Sequence, residues 1–325
     1  MFRSKIKKKK ISNKKINKKT KKVKKLFVKK IMSDEEIKEK ESEYFDNKHF
    51  RHIIKSNVDV YYKNSTGKEI LLAKFRKKVI PKKLSSLIVK NLKQAAKRIH
   101  DNRGPAGGPL DKKKVPVYVD FKKSKSRNKY RLYGYFSKKN NKFVNNYIGN
   151  EAKSNIIGYF DRPDRNNFTE NLPCRLTSFN ANQPEKFKNV LPFFQKANKI
   201  FSELVPKQYK IQYKRAQETK FVIEKTAFST VTINYNWRTG THKDSGDFPE
   251  GFGNLMVCEE GKYKGGYTGF PQFGVCFDVR EGDFLAMDVH EWHCNTEIKG
   301  ITKDFTRLSI VCYLRNNMIK CKEKF

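Results

Sequence analysis

Short β-forming segments dominate the last third of the chain, and they restrict its fold more than any other feature. After Tyr209, runs of β-branched, aromatic and other apolar residues alternate with glycine-containing turns such as Lys264-Gly265-Gly266. Many short strands joined by such turns are typical of β-sandwiches and barrels, jelly rolls included. We therefore predict a jelly-roll core over about 206–325. The runs cover residues 228–235, 254–258, 273–279, 283–287 and 307–314.

The segment before this core has a mixed α/β pattern. Residues 184–204 carry apolar side chains at three- and four-residue spacing, which predicts an amphipathic helix packed on a sheet. Residues 84–100 show the same spacing, and the Gly- and Pro-rich stretch 102–109 then forms a loop. The fold class is thus α+β and mainly β, with a double-stranded β-helix (jelly-roll, cupin-like) core, flanking helices and an N-terminal α/β extension over about 36–205. Residues 36–325 form one domain. Further strands are predicted at 58–62, 70–75, 115–121 and 130–136.

The balance of charge points to a polyanionic partner. The chain has 72 Lys and Arg against 33 Asp and Glu, a formal net charge of +39. Of the first 30 residues 16 are basic, and the first acidic residue is Asp34, so we predict a disordered basic tail over 1–35. This tail is interpreted as a nucleic-acid-binding arm or nuclear import signal, with a solubilising extension as the alternative. Since the rest of the chain is basic too, we expect DNA to be bound through both tail and body.

The expected location is inside the cell, in the nucleus or another DNA-containing compartment, a viral source included. No apolar stretch approaches the roughly 18–20 residues that span a bilayer, and the lysine-rich start lacks the apolar run of a secretory signal. A membrane partner and secretion are therefore not expected. The 6 cysteines form no Cys-x-x-Cys pair, which argues against a zinc ribbon and favours a reduced protein.

A metal-binding pattern lies inside the predicted jelly roll. His242 and Asp244 are two residues apart, so in an extended segment their side chains point to the same face and can grip one ion. A second histidine about 50 residues later, His290 or His293, completes a two-histidine, one-carboxylate set. Such a set leaves open positions on Fe(II) for a 2-oxo acid and O₂.

A carboxylate receptor follows the second histidine. Arg307 comes 14 residues after His293 and is followed by Ser309; its guanidinium can bind both oxygens of a carboxylate, and the hydroxyl adds a donor. Asn236 and Arg238 precede the metal motif and are predicted either to help hold the 2-oxo acid or to be strand-end residues. The order His-x-Asp, His, Arg-x-Ser is more specific than any of its parts.

Together these segments resemble the TET/J-binding-protein family of nucleic-acid base dioxygenases, which hydroxylate the methyl group of thymine or 5-methylcytosine. The resemblance implies that His242, Asp244 and His293 bind iron, that Arg307 forms the salt bridge to 2-oxoglutarate, and that Fe(II), 2-oxoglutarate and O₂ are needed, with ascorbate as a reductant. The spacing to Arg307 and the following Asn-Thr favour His293 over His290. The cysteine-rich segment of animal TET proteins has no counterpart. The matching segments are 241–247, 263–266, 277–283, 293–296 and 307–309, with weaker matches at 102–104 and 175–179.

The substrate implied is the 5-methyl group of a DNA pyrimidine, and 5-methylcytosine is slightly favoured over thymine. Asp247 is expected at the pocket mouth, where its carboxylate can accept a hydrogen bond from the N4 amino group of 5-methylcytosine; the alternative is a turn cap or a salt bridge. Trp292 and Phe270 either stack on a flipped base or pack in the core. The same fold acting on RNA or on a protein side chain is the alternative function, followed by a non-catalytic basic nucleic-acid-binding protein.

Overall fold

The computed structural model describes residues 23–124, 128–161 and 174–321. Most of the predicted basic tail, 1–22, lies outside the described residues. The end of that tail differs from the prediction, because Lys24–Val28 forms a strand and Ser33 caps a helix that starts at Asp34. Leu26 is half-buried and Val28 is buried, with the exposed Phe27 between them, and the strand pairs in parallel with 58–62, which explains the earlier start of the fold.

Five helices and nineteen strands are found in the described residues. The helices are α1 (Asp34–Glu39), α2 (Lys82–Ala96), α3 (Ser178–Asn182), α4 (Pro184–Leu204) and α5 (Pro206–Ala216). The first ten strands are β1 (Lys24–Val28), β2 (His52–Ile54), β3 (Val58–Lys63), β4 (Glu69–Arg76), β5 (Ile99–His100), β6 (Val119–Asp120), β7 (Arg131–Ser137), β8 (Lys142–Gly149), β9 (Ala152–Phe160) and β10 (Arg175–Leu176). The remaining nine are β11 (Thr230–Tyr235), β12 (Gly253–Glu260), β13 (Tyr263–Gly265), β14 (Thr268–Phe270), β15 (Val275–Phe277), β16 (Phe284–Met287), β17 (Cys294–Asn295), β18 (Ile298–Gly300) and β19 (Thr306–Tyr313).

Two facing sheets form the core. The large sheet has the strand order β1-β3-β4-β16-β12-β19-β11-β9-β10, and the small sheet has the order β17-β14-β15-β2. Between them lies an apolar layer to which both sheets contribute, including Leu72, Leu255 and Leu285 from the large sheet and Phe270 and Phe277 from the small one. The predicted jelly-roll fold is confirmed, and its N-terminal extension adds strands to both sheets.

Helices cover the outer face of the large sheet. α2 and α4 pack there, and Phe193, Phe194 and Phe201 of α4 are fully buried. Burial of each such ring contributes roughly 1.5–3 kcal/mol to stability. The predicted helix over 184–204 is confirmed. The opposite face of the large sheet packs against the small sheet.

Strands β6, β7 and β8 form a separate antiparallel sheet, here called the insert sheet. It has its own small core of Val115, Val119 and Leu132. The strand predicted over 115–121 is shorter than expected: Pro116 has no amide hydrogen to donate, and pairing starts only at Val119.

The cysteines differ from the reduced state expected. Cys174 and Cys321 form a disulfide, with a sequence separation of 147 residues and a Cα–Cα distance of 5.7 Å. No local sequence motif predicts such a distant pair. The other four, Cys258, Cys276, Cys294 and Cys312, are buried thiols. Within the described ranges no helix has the length and apolar character needed to cross a membrane.

Candidate active site

Backbone pairing between two loops brings the metal-binding residues together. The amide of His242 donates to the carbonyl of His293 over 3.0 Å, and the amide of His293 donates back over 2.9 Å. The amide of Asp244 donates to the carbonyl of Val289, also over 3.0 Å. The loop after β11 is thereby fixed against the loop between β16 and β17, although about 50 residues separate the two histidines in the chain.

The three side chains present one ligand atom each to a common point. Asp244 Oδ1 lies 3.5 Å from His242 Nε2, and Asp244 Oδ2 lies 3.6 Å from His293 Nε2. All three ligand atoms fall within 4.8 Å of one another. In the part of the chain that the structure describes, this is the one group of three or more His, Cys, Asp or Glu side chains arranged to hold a metal ion.

Hydrogen bonds at the far side of each ring leave the inner nitrogens available. His242 Nδ1 lies 2.8 Å from the carbonyl of Gly240, and His293 Nδ1 lies 3.0 Å from the carbonyl of Glu291. A carbonyl only accepts, so each Nδ1 carries the proton and each Nε2 has a free lone pair. This is the tautomer that a metal-binding histidine needs, with its ring orientation fixed by the second hydrogen bond.

Burial keeps the inner histidine neutral. Burial, and after it the neighbouring His242, lowers the pKa of His293 to about 4. Only the neutral imidazole binds a metal, so this ring is ready to bind at neutral pH.

His290, the alternative ligand, points elsewhere. Its Nδ1 lies 3.2 Å from Asp288 Oδ1, and that hydrogen bond raises the pKa of His290. It is not part of the group of ligand atoms described above. The geometry therefore supports the choice of His293 that the spacing to Arg307 suggested.

Arg307 is a buried cation without a buried anion. Its side chain is 1% exposed, its Nη2 donates to the carbonyl of Gly266 over 2.8 Å, and its Nε has no hydrogen-bond partner. Among the described residues no carboxylate forms a salt bridge with it. Gly266 has φ +70°, and a Cβ there would lie 2.9 Å from the Nε, so glycine gives the guanidinium its space.

Such a cation indicates an anionic ligand. An unpaired buried charge costs several kcal/mol, and burial lowers the pKa of the Arg307 guanidinium. Ser309 lies two residues further on the same face of β19, and its Oγ accepts from Asn234 Nδ2 over 3.3 Å. The carboxylate of a 2-oxo acid matches this donor set, because a guanidinium binds both carboxylate oxygens.

A cavity of about 510 Å³ contains the metal-binding group. This volume is in the range of small-molecule sites, and the loops 102–106 and 242–247 both contribute to its lining. Its polar and charged lining includes Arg103, Asn234, His242, Asp244, Asp247, His293, Asn295, Ser309 and Arg315.

Asn236 and Arg238 do not line this cavity. They contact the segments that surround it. Asn236 Oδ1 accepts from the amide of Arg307 over 2.6 Å. Arg238 pairs with Asp46 over 2.7 Å and lies over the ring of Tyr44. Contact of these two residues with 2-oxoglutarate stays a prediction; the observed contacts position β19 and the N-terminal extension.

Asp247 lines the cavity beside Arg315, a charged group that the sequence reasoning missed, and the contact of Asp247 with a base stays a prediction. Its Oδ2 is buried without a hydrogen-bond partner. Burial raises the pKa of Asp247 well above its usual value, Asp244 raises it further, and Arg315 opposes both. Arg315 forms an ion pair with Asp161 over 2.5 Å, lies over the ring of Phe160 and also lines the cavity.

Trp292 and Phe270 match the core-packing alternative. Trp292 packs against a cluster that includes Phe45, and Lys243 Nζ lies 5.3 Å from the centre of its ring. Phe270 is fully buried, 6.3 Å from the ring of His293. Neither ring lines the cavity, so base stacking by Trp292 has no support in the geometry.

Arg103 is a further residue that sequence reasoning did not assign to the site. It lines the cavity from the Gly- and Pro-rich loop, and its Nε is buried without a hydrogen-bond partner. The sequence signal for Arg103 was its position beside Gly104 in the segment 102–104. For Arg315 the available sequence signal was its even spacing from Arg307, because every second residue after Arg307 points to the cavity side of β19.

Comparison with known proteins gives a family match over half of the chain. Residues 155–316 match the Tet_JBP family model, described as the oxygenase domain of the 2OGFeDO superfamily. All the metal-binding residues, Arg307 and Ser309 lie in this segment, whereas Arg103 and the insert sheet lie before it. The resemblance inferred from the sequence is thereby confirmed.

The curated relatives include two proteins of Trypanosoma cruzi. Thymine dioxygenase JBP1-A of Trypanosoma cruzi (strain CL Brener) is 36% identical over 173 residues, which is 53% of this chain and 20% of the relative. Bifunctional helicase and thymine dioxygenase JBP2 of the same organism is 36% identical over 168 residues, 51% of this chain and 15% of the relative. The chain thus spans only a fifth or less of the length of these relatives.

A solved structure shares the fold. The complex of NgTET1 with 5mC DNA superposes with a TM-score of 0.51 and 10% sequence identity, covering 92% of this chain and 85% of that one. At this identity the likeness concerns the fold alone, and it extends across nearly the whole chain.

Proposed function

We propose that this chain, which belongs to the TET/JBP family of 2-oxoglutarate- and iron-dependent oxygenases, hydroxylates the 5-methyl group of a pyrimidine base in DNA. The observation that carries the proposal is the convergence of the ligand atoms of His242, Asp244 and His293 in a cavity that Ser309 also lines. Arg307, whose guanidinium is buried, lies two residues before Ser309 on the same strand face. The oxygenase class follows from the family; the substrate and the site roles are the proposal.

The residues present fit Fe(II) and 2-oxoglutarate. Two neutral imidazoles and one carboxylate suit Fe(II) and leave part of its coordination sphere open. When bound, the metal with 2-oxoglutarate and O₂ supplies the oxidising power. Arg307 binds the distal carboxylate of the co-substrate, and Ser309 orients it. Ascorbate is proposed as an external reductant that keeps the iron in its ferrous state.

Arg103 balances charge at the same site. Three anionic groups meet there: the carboxylate of Asp244 and the two carboxylates of the co-substrate. Asp244 is one of the groups that favour the charged form of Arg103, whose pKa is otherwise lowered by burial. We assign Arg103 a positioning role, in which its guanidinium holds anionic oxygen at the cavity wall and excludes water from that side.

DNA is the proposed polymer because charge and cavity size agree. A net charge of +39 favours phosphate contacts, and a base must leave the duplex to bring its methyl group to a buried metal site. The cavity of about 510 Å³ accommodates a co-substrate and a flipped pyrimidine. Action on DNA places the chain in the nucleus or another DNA-containing compartment.

The polar groups of Asp247 and Arg315, which line the cavity, favour thymine over 5-methylcytosine. Thymine presents an acceptor, O4, beside a donor, N3–H, whereas 5-methylcytosine presents an amino donor beside an acceptor. Arg315 offers donors and Asp247 offers an acceptor, and both line the cavity. From Asp247 alone the sequence slightly favoured 5-methylcytosine; the guanidinium beside it reverses this preference. The named activity of the trypanosome relatives, thymine dioxygenase, supports the same choice.

Mass spectrometry of nucleosides tests the proposal. The full chain is incubated with Fe(II), 2-oxoglutarate, ascorbate and duplex DNA that contains both thymine and 5-methylcytosine. We expect one added oxygen on thymine that is absent with His242→Ala. Oxygen on 5-methylcytosine alone would contradict the base assignment. Succinate formation without an oxidised base would contradict the DNA assignment and direct the search to RNA and protein substrates.

A further inference from the structure

The insert sheet carries an excess of positive charge that the catalytic site does not use. Residues 111–149 contain twelve Lys or Arg and two Asp. On the turn between β7 and β8, Lys138, Lys139 and Lys142 are exposed, and none forms a salt bridge with a described residue. Such a surface is complementary to a polyanion.

One face of this sheet is aromatic. Leu132 and Tyr135 point inward to its small core, and they share this face because the register shifts between Tyr133 and Tyr135. Tyr133 and Phe143, which pair with Tyr147 and Phe136, therefore belong to the opposite, outer face. Both Tyr133 and Phe143 are 43% exposed. Exposed large aromatic rings together with lysines are typical of surfaces that bind single-stranded or distorted nucleic acid.

The rings are held in place before any ligand binds. The Arg131 guanidinium lies 5.3 Å from the centre of the Tyr133 ring and 4.5 Å from that of Tyr147. Gly134 has φ +58°, and a Cβ there would lie 2.5 Å from Phe143 Cζ, so the phenyl ring lies directly over this glycine. A preorganised ring loses little conformational entropy when a base stacks on it.

The aromatic face is continuous with the catalytic cavity. Arg131, which stacks on Tyr133, also lines the cavity. At the end of β8, the hydroxyl of Tyr147 donates to Asp101 Oδ1 over 3.4 Å, and Asn150 Nδ2 donates to the carbonyl of Pro109 over 2.7 Å. These contacts fix the insert sheet to the loop that contains Arg103, and this loop lines the cavity.

We propose that this outer face binds the DNA strand beside the target base, with Tyr133 and Phe143 against bases and the lysines of the β7–β8 turn on phosphates. The inference rests on the proposed function and adds the surface that presents the duplex to the site. A protein partner is disfavoured because the face combines aromatic rings with a large excess of positive charge, twelve Lys or Arg against two Asp within 111–149.

The first test removes the two rings in the full chain. Tyr133→Ala with Phe143→Ala is expected to raise the Kd for a fluorescein-labelled duplex roughly 10- to 100-fold, since each lost stack is worth about one decade or more. KM for duplex oxidation should rise in parallel, with kcat retained. Tyr133→Phe should restore stacking. The matched control is Phe27→Ala with Tyr213→Ala, two exposed rings on β1 and α5, which should leave Kd unchanged.

The second test uses surface lysines, whose replacement leaves the fold intact. Changing Lys138, Lys139 and Lys142 to Ala should make the slope of log Kobs against log salt less steep by about 2–3, because each phosphate contact contributes roughly 0.9. The control changes three exposed lysines of α4 to Ala and should keep the slope. These control positions are Lys186, Lys188 and Lys199.

The two hypotheses fail in different ways. If Tyr133→Ala with Phe143→Ala binds and oxidises duplex DNA like the unaltered chain, and the salt slope is also unchanged, the surface assignment is wrong while the function stands. If the unaltered chain oxidises no base, the proposed function is wrong, and the binding comparison still decides whether this face holds DNA.

Discussion

Replacing Arg307 by Met is expected to abolish binding of 2-oxoglutarate while changing the free energy of unfolding of the protein without co-substrate by at most about 3 kcal/mol. The guanidinium is 1% exposed and forms no salt bridge among the described residues. Exchange of buried charges for apolar groups of similar volume is neutral or stabilising by about 1–4 kcal/mol. Loss of the charge-assisted hydrogen bond to Gly266 costs about 1.5–3 kcal/mol. The free energy of unfolding should therefore change by between about −3 and +2.5 kcal/mol.

The loss of affinity should be much larger. A guanidinium that binds a carboxylate contributes two charge-assisted hydrogen bonds, each worth about 1.5–3 kcal/mol. Their removal predicts a Kd for 2-oxoglutarate that is at least about 100-fold higher. Ser309→Ala is the control on the same strand face, and because one neutral hydroxyl is lost, the expected increase is about tenfold or less.

Thermal unfolding with Mn(II) in place of Fe(II) measures both effects without turnover. At a 2-oxoglutarate concentration of 100 Kd the unaltered chain gains about 2.7 kcal/mol, which corresponds to an increase in Tm of roughly 5 °C for a chain of this size. With Arg307→Met this 2-oxoglutarate-dependent increase should vanish, whatever the Tm of the variant without co-substrate. An unchanged 2-oxoglutarate-dependent shift in the variant would refute the assignment of Arg307.

Three further predictions concern the metal and the base. His242→Ala should lower metal affinity by several decades in a metal titration, whereas His290→Ala should stay within about tenfold of the unaltered chain, because His290 Nδ1 is engaged by a carboxylate outside the site. In the folded state the pKa of His293 is lowered from 6.5 to about 4, so the folded state binds this proton only at a lower pH than the unfolded state does. Urea unfolding of the metal-free chain should therefore show about 3 kcal/mol of stability lost as the pH falls from 6.5 to 4. His293→Asn should remove this dependence, and an identical loss in that variant would contradict the explanation. Arg315→Ala should lower kcat/KM for thymine in DNA by roughly 10-fold or more relative to 5-methylcytosine, and Asp247→Ala should change the ratio as well; equal ratios in competition assays would exclude both from base selection.

The fold could be predicted where the pattern is local. Residues 184–204 have the helical spacing of a buried stripe, and the strands of the jelly roll are short apolar runs between glycines, so their existence follows from periodicity. The three-layer arrangement then follows because each element must bury one face. Strand β1 was missed because lysines outweigh Leu26 and Val28 in composition, although the alternation of these two residues is enough for pairing with β3.

Contacts between distant segments are less accessible from sequence. The disulfide between Cys174 and Cys321 joins positions 147 residues apart, and no spacing rule distinguishes these cysteines from the four that stay buried as thiols. The metal group is different, although His242 and His293 are also far apart, because its residue types are rare in this chain, which has only 6 histidines. Rarity makes an ordered motif informative, whereas a common residue type carries little information.

The arginines show the opposite case, because basic residues are too common in this chain for one position to stand out. With 72 Lys and Arg in the chain, composition indicates a polyanionic partner but gives no means to separate a cation that contacts phosphate from one that binds a co-substrate. The separation depends on burial and on which anions lie nearby. Arg238 forms an ion pair with Asp46, Arg315 forms one with Asp161, and Asp244 favours the charged form of Arg103. Arg307 is 1% exposed and forms no salt bridge with a described carboxylate. Since an unpaired buried cation is costly, Arg307 is the position where a bound anion contributes most, which is why the co-substrate and not the DNA backbone is assigned to it.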